Sequence, residues 1–268
     1  MHSIPNDEVK KIGIAGIGAI GGAVARALTQ GAGIKGMSLD CISDPHAENV
    51  YGVPNVDFET LAHRCDLVIE CLPARIVPEL AKEIFATYTD VIFISSAALL
   101  VYPEILEAHK SAESRVFVPS GALCGLDGVK GMKGLGINNS KIATTKKPSG
   151  YTGAPYVEEN AINLEAITTR TCIFEGNALE ASKGFPANIN VAATLSLAGI
   201  GPEKTMVEIW ADPEAKGNAH EITVESNYST LRSRIENMPD PANPKSSVLA
   251  AQSIIALLKD MSSAIVVG

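Results

Sequence analysis

The chain has 268 residues, a formal net charge of −8, and is 46% hydrophobic and 19% charged. That length allows one large or two modest domains with a substantial core, and the acidic balance argues against a nucleic-acid surface, which needs a basic face. No apolar run reaches the length of a membrane span.

Met1–Glu8 lacks the basic and apolar regions of a secretory leader. The five cysteines (Cys41, Cys65, Cys71, Cys124, Cys172) are scattered, with no C-x-x-C pair, and the histidines form no H-E-x-x-H group. Reduced thiols in a cytoplasmic protein without a metal site are the expectation.

Lys11–Leu28 reads as a buried strand, a glycine turn and the start of a helix. Gly16, Gly18 and Gly21 fill a G-x-G-x-x-G pattern: the first allows the turn, the second admits a pyrophosphate, and the third lets helix and strand pack closely. The helix N-terminus adds free N–H groups and partial positive charge. Gly16, Gly18, Ala19, Ile20 and Gly21 are therefore the expected cofactor-binding turn. A second strand, Met37–Ser43, ends at Asp44, close to the ~20-residue spacing of the acid that grips a ribose in NAD-binding folds. Its competing reading is a turn residue closing the strand. Pro45-His46 supplies no arginine for a 2′-phosphate, so NAD is favoured and NADP stays open.

Strands are expected at Asp66–Cys71, Val91–Ile94 and Arg115–Val118, with helices after Pro78 and over Tyr102–His109. This alternation predicts an α/β fold: a Rossmann-type doubly wound parallel sheet over residues 1–121. After Ser120 the pattern changes. Gly125, Gly128, Gly131, Gly134 and Gly136 suggest loops. Strand-like stretches follow at Lys141–Lys146, Ala166–Phe174, Thr205–Ala211, His220–Ser226 and Ser229–Met238, with short helices at Ala178–Lys183 and Asn188–Leu197. Residues 122–242 thus read as a second α+β domain on an open, mostly antiparallel sheet. Alternation puts His220 with Ile222 and Val224 on its covered face. Ser246–Met261 reads as an amphipathic helix with serine caps, within a 243–268 segment expected to pack back on the first domain. Trp210, among alternating apolar residues, suits a core or subunit contact.

Several stretches are more specific. They are Pro119–Gly128 (PSGALCGLDG), Lys183–Ala193 (KGFPANINVAA), Leu197–Gly201, Ala211-Asp-Pro213, Asn218–Ile222 (NAHEI) and Asn243–Ser247 (NPKSS). In this order and spacing they resemble the L-aspartate dehydrogenase family, through essentially the whole chain. The resemblance implies a homodimeric NAD(P)-dependent enzyme that makes iminoaspartate for pyridine nucleotide biosynthesis. It puts the catalytic histidine at His220 and a nicotinamide-side asparagine at Asn190. A cofactor-contacting alanine of the family falls on Cys124, a departure from the pattern.

Oxidising L-aspartate moves a hydride from Cα to nicotinamide and yields iminosuccinate, which hydrolyses to oxaloacetate and ammonia. A histidine suits the proton transfers this requires. Its alternative is a hydrogen-bonded core residue. The substrate carboxylates need cationic or N–H donors. Lys183, beside the Gly-Phe-Pro turn, and Lys245 with Ser246, at a helix start, are the two candidate sites, each with a solvated or capping alternative. Asn188 suits positioning Asn190, contacting the cofactor or capping a helix. Two other functions compete: a related Rossmann reductase for another small dicarboxylate, and a non-catalytic NAD-binding sensor.

Overall fold

A computed structural model describes residues 9–47, 51–240 and 243–267. Five strands, β1 (Lys10–Ala15), β2 (Met37–Ser43), β3 (Leu67–Glu70), β4 (Asp90–Phe93) and β5 (Val116–Phe117), lie in the order β2-β1-β3-β4-β5, every pair parallel. Ile12, Ile14, Leu67, Val68, Ile69, Val91 and Ile92 are fully buried. Such unbroken apolar runs belong to a parallel sheet covered on both faces. Its helices are α1 (Ala19–Thr29), α2 (Phe58–Arg64), α3 (Val77–Ala86), α4 (Ala98–Val101) and α5 (Glu104–His109). Helices α2 and α4 fall outside the elements expected from the sequence. For α2 a local signal existed: Asp57 caps it, accepting from the Thr60 N–H at 2.8 Å.

The second half comprises α6 (Leu126–Lys133), β6 (Ile137–Lys146), α7 (Pro155–Glu159), β7 (Thr171–Asn177), α8 (Ala178–Gly184), α9 (Asn190–Ala198), β8 (Thr205–Ala211), β9 (Asn218–Ser226) and β10 (Thr230–Asn237). The strands form a mixed sheet, β10-β9-β6-β8-β7, antiparallel except for the parallel pair β6–β8. One face is core: Ile142, Val207, Ile209, Ile222 and Val224 pack with Ala178, Ala181, Ala192 and Leu195 of α8 and α9. The opposite face stays open and charged, with Lys141–Glu208 (2.6 Å) and Arg234–Glu221 (3.2 Å) ion pairs. Trp210 sits there half-buried, under the Arg170 guanidinium at 3.8 Å, rather than in the core.

Three expectations need correction. The glycine-rich stretch after Ser120 contains helix α6, because Val129 and Met132 bury one of its faces against the core and offset the glycine penalty. The strand expected at Ala166–Phe174 starts at Thr171, since Asn163 opens a 3-10 turn over Leu164–Ala166 by accepting two backbone N–H groups. The last helix, α10 (Val248–Met261), has no serine cap bond. Before it, β11 (Pro239–Asp240) pairs with β12 (Asn243–Ser247), and the Ser247 hydroxyl donates to Asn237 Oδ1 at 3.3 Å. Ile254, Ile255 and Leu258 of α10 join Ile12, Ile14, Val24 and Leu28 in one cluster, so this helix packs against the first sheet. Among the described residues no helix is long and apolar enough to cross a membrane.

Candidate active site

In an open parallel sheet, ligands settle beyond the carboxyl ends of the strands where the strand order reverses. Here that point lies between β1 and β3. The glycine turn leaves β1 there, and Gly16 and Gly21 in it are sterically required. Gly16 has φ +89°, and a Cβ on it would stand 2.5 Å from the Cys71 carbonyl oxygen. A Cβ on Gly21 would stand 1.9 Å from the Gly16 oxygen, whereas one on Gly18 would meet nothing within 4 Å. Helix and strand therefore close on each other, while the side at Gly18 stays clear for a ligand above the N-terminus of α1. A dinucleotide pyrophosphate fits this cradle.

Asp44 stands where β2 ends. Its carboxylate accepts from the Ile17 N–H at 2.6 Å and the His46 N–H at 2.8 Å. It thus braces the glycine turn and shapes its own loop, while each oxygen keeps a lone pair for a sugar hydroxyl. Glu70, fully buried at the end of β3, accepts from the Leu72 N–H (2.6 Å) and the Ser95 N–H (3.0 Å). Burial pushes its carboxyl up to about 7. It ties together the two segments that form the floor of the crevice.

A cavity of about 260 Å³ joins this crevice to the second sheet. Ile20, Leu72 and Ser95 line it from one side; Lys146, Asn190 and His220 line it from the other. His220, 4% exposed, faces inward from β9, and its Nδ1 lies 3.1 Å from Thr144 Oγ1 on the paired position of β6. Burial and the nearby Lys146 charge push the imidazole down to about 3. Asn190 opens α9. Its Oδ1 accepts from the Ala97 N–H at 3.0 Å and its carbonyl from Ser96 Oγ at 2.7 Å, leaving the amide nitrogen as its remaining polar end. Ser96 also meets Thr194 Oγ1 at 2.9 Å. These bonds fasten the second half to the loop after β4 and set His220 opposite the glycine turn.

The other candidates fare differently. Lys183 points to solvent on the last turn of α8, because helical phase buries its neighbours Ser182 and Gly184 instead. It does not line the cavity. Cys124 does not line the cavity, although Gly121 and Ala122 do, and its carbonyl accepts from Ser233 Oγ at 3.2 Å. Lys245 and Ser246 fall on β12, and their side chains lie outside the described residues. Asn188 lines the cavity and accepts from Lys146 Nζ at 2.9 Å. Lys146 itself was missed. The available signal was alternation along β6, which sets Ile142, Thr144 and Lys146 on one covered face and so places a cation where an apolar residue belongs.

A dinucleotide cradle sharing a cavity with a buried histidine defines an NAD(P)-dependent oxidoreductase. Residues 3–78 match the NAD binding domain of D-isomer specific 2-hydroxyacid dehydrogenases, and residues 127–261 match the family described as aspartate dehydrogenase, C-terminal. The chain is 38% identical to L-aspartate dehydrogenase 3 of Bordetella bronchiseptica, covering 96% of this chain and 97% of that one. It is also 38% identical to L-aspartate dehydrogenase of Methanosarcina barkeri, covering 96% and 99%. The crystal structure of aspartate dehydrogenase from Thermotoga maritima superposes with a TM-score of 0.76 at 30% identity, covering 97% of this chain and 99% of that one. The chain belongs to the L-aspartate dehydrogenase family.

Proposed function

We propose that this protein oxidises L-aspartate with NAD to iminosuccinate, which hydrolyses to oxaloacetate and ammonia, and catalyses the reverse reductive amination. One observation carries the reading: His220 lines the same cavity as Ile20 of the dinucleotide turn. A nicotinamide bound along that turn supplies the hydride acceptor. Gly16, Gly18, Ala19, Ile20 and Gly21 cradle the pyrophosphate, Asp44 takes the ribose hydroxyls, and Asn190 faces the nicotinamide. Asp44 followed by Pro45-His46, which supply no arginine, favours NAD over NADP. With Nδ1–H donating to Thr144 Oγ1, His220 Nε2 accepts a proton from the substrate amino group; after that proton passes to solvent, the neutral ring takes one from the attacking water.

Residues 1–121 with the returning C-terminal segment form the cofactor unit in this reading, and residues 122–242 the catalytic one. The open charged face of the second sheet is the surface we assign to a homodimer, in the cytoplasm. The resemblance also implies contact of Cys124 with the cofactor, close in sequence to Gly121 and Ala122, which line the cavity.

The test is absorbance of reduced nicotinamide with L-aspartate and NAD, for the unsubstituted protein and His220→Ala. Turnover in the first and a loss of ~10²–10⁴-fold in the second, with NAD affinity retained, is the expected result. Turnover only with another dicarboxylate would make it a related reductase, and NAD binding without turnover a sensor.

A further inference from the structure

Lys146 has no role in the chemistry described so far, yet it is a cation inside the cavity. No ion pair among the described residues engages it. Its Nζ donates to Asn188 Oδ1 at 2.9 Å, and the Tyr151 ring lies 6.0 Å away. Lys146 is partly buried, which pushes its ammonium down to about 8, and a charge drawn out of water without a counter-ion is costly. A ligand carboxylate in the cavity would supply the missing anion.

The surroundings point the same way. Asn188, which orients Nζ, lies two residues before α9, whose first residues Asn190 and Val191 line the same cavity. The first backbone bond of that helix runs from the Ala193 N–H to Ile189, so the N–H groups before it face outward from the helix end. They add partial positive charge beside the ammonium. Lys146 also stands two residues along β6 from Thr144, the partner of His220. On one strand face that is roughly 7 Å, within reach of a four-carbon substrate whose Cα stands at the imidazole.

We propose that Lys146, steered by Asn188 and assisted by the N-terminus of α9, anchors a carboxylate of the substrate and so selects dicarboxylates. The proposal rests on the dehydrogenase reading for the substrate's identity, though not for the anion site itself. Its probe is succinate, a dicarboxylate that cannot react. Calorimetric titration of succinate into the NAD-loaded protein is compared for the unsubstituted chain, Lys146→Met and Lys146→Gln. Thermal midpoint, NAD affinity and the KM for L-aspartate are measured alongside. Removal of a charge-assisted bond should weaken succinate and raise KM roughly 10- to 100-fold in both variants. NAD affinity should hold, and the Lys146→Met midpoint should stay level or rise, because an unpaired, partly buried charge has been replaced by apolar volume. Unchanged succinate affinity overturns the anchor. So does a parallel fall in midpoint and NAD affinity, which marks a structural role. Lys146-dependent succinate binding in a protein that leaves L-aspartate unreacted supports the anchor and overturns the dehydrogenase reading alone.

Discussion

A histidine on the covered face of a strand is either a satisfied core residue or a reactive base, and its neighbours decide which. His220 has a hydroxyl on one ring nitrogen and a cavity before it. Burial first, and the Lys146 charge second, keep it neutral. A carboxylate seated on Lys146 would cancel part of that charge and make the imidazole a better proton acceptor as substrate arrives. Lys146 also sets a pH dependence. Its ammonium is pushed down to about 8, so the charged form prevails below that pH and is lost above it. Succinate affinity, measured calorimetrically from neutral pH upward, should be level at first and then fall about tenfold per unit once the ammonium of the free protein titrates. His220 adds no slope in this window. Lys146→Met should show a flat, weak affinity throughout.

At the scale of the element, the strand–turn–helix unit at β1 and α1 follows directly from its residues. Apolar residues before the turn bury on both sides, and the glycines permit contacts that any side chain would block. Gly21→Ala puts a Cβ into the Gly16 carbonyl. It should lower stability by about 1–3 kcal/mol, read from a urea midpoint, and weaken NAD more than proportionately by moving the turn. Local signals misled where burial outweighed them. The glycines of α6 argue for loop, but Val129 and Met132 gain more from the core than those glycines cost. The serines before α10 argue for caps, but the chain there pairs as β12 and Ser247 bonds to Asn237.

Over the whole molecule, the site exists because two sheets are held at a fixed distance. Ser96 bonds to Asn190 and Thr194 across their junction, and the Gly121 N–H donates to Ser253 on α10 at 3.1 Å. The last helix thus returns to the first sheet and closes around the loop that lines the cavity. Ile254→Ala, at a fully buried position, should cost about 2–5 kcal/mol in chemical unfolding and show α10 to be integral to the first sheet's core. The same fold brings Cys41 and Cys65, far apart in sequence, to a sulfur–sulfur distance of 3.4 Å.

The sequence alone determined the dinucleotide cradle, the alternation of strand and helix, the inward face of His220 and the family motifs. Each depends on residues close along the chain, where period and sterics leave few choices. Tertiary structure alone decided that Lys183 lies away from the cavity, that the covered face carrying Lys146 opens onto it, and that Asn190 binds the far side of the junction. Those outcomes depend on which surfaces meet across the fold, and the free energy of burying a charge appears only once its surroundings are assembled.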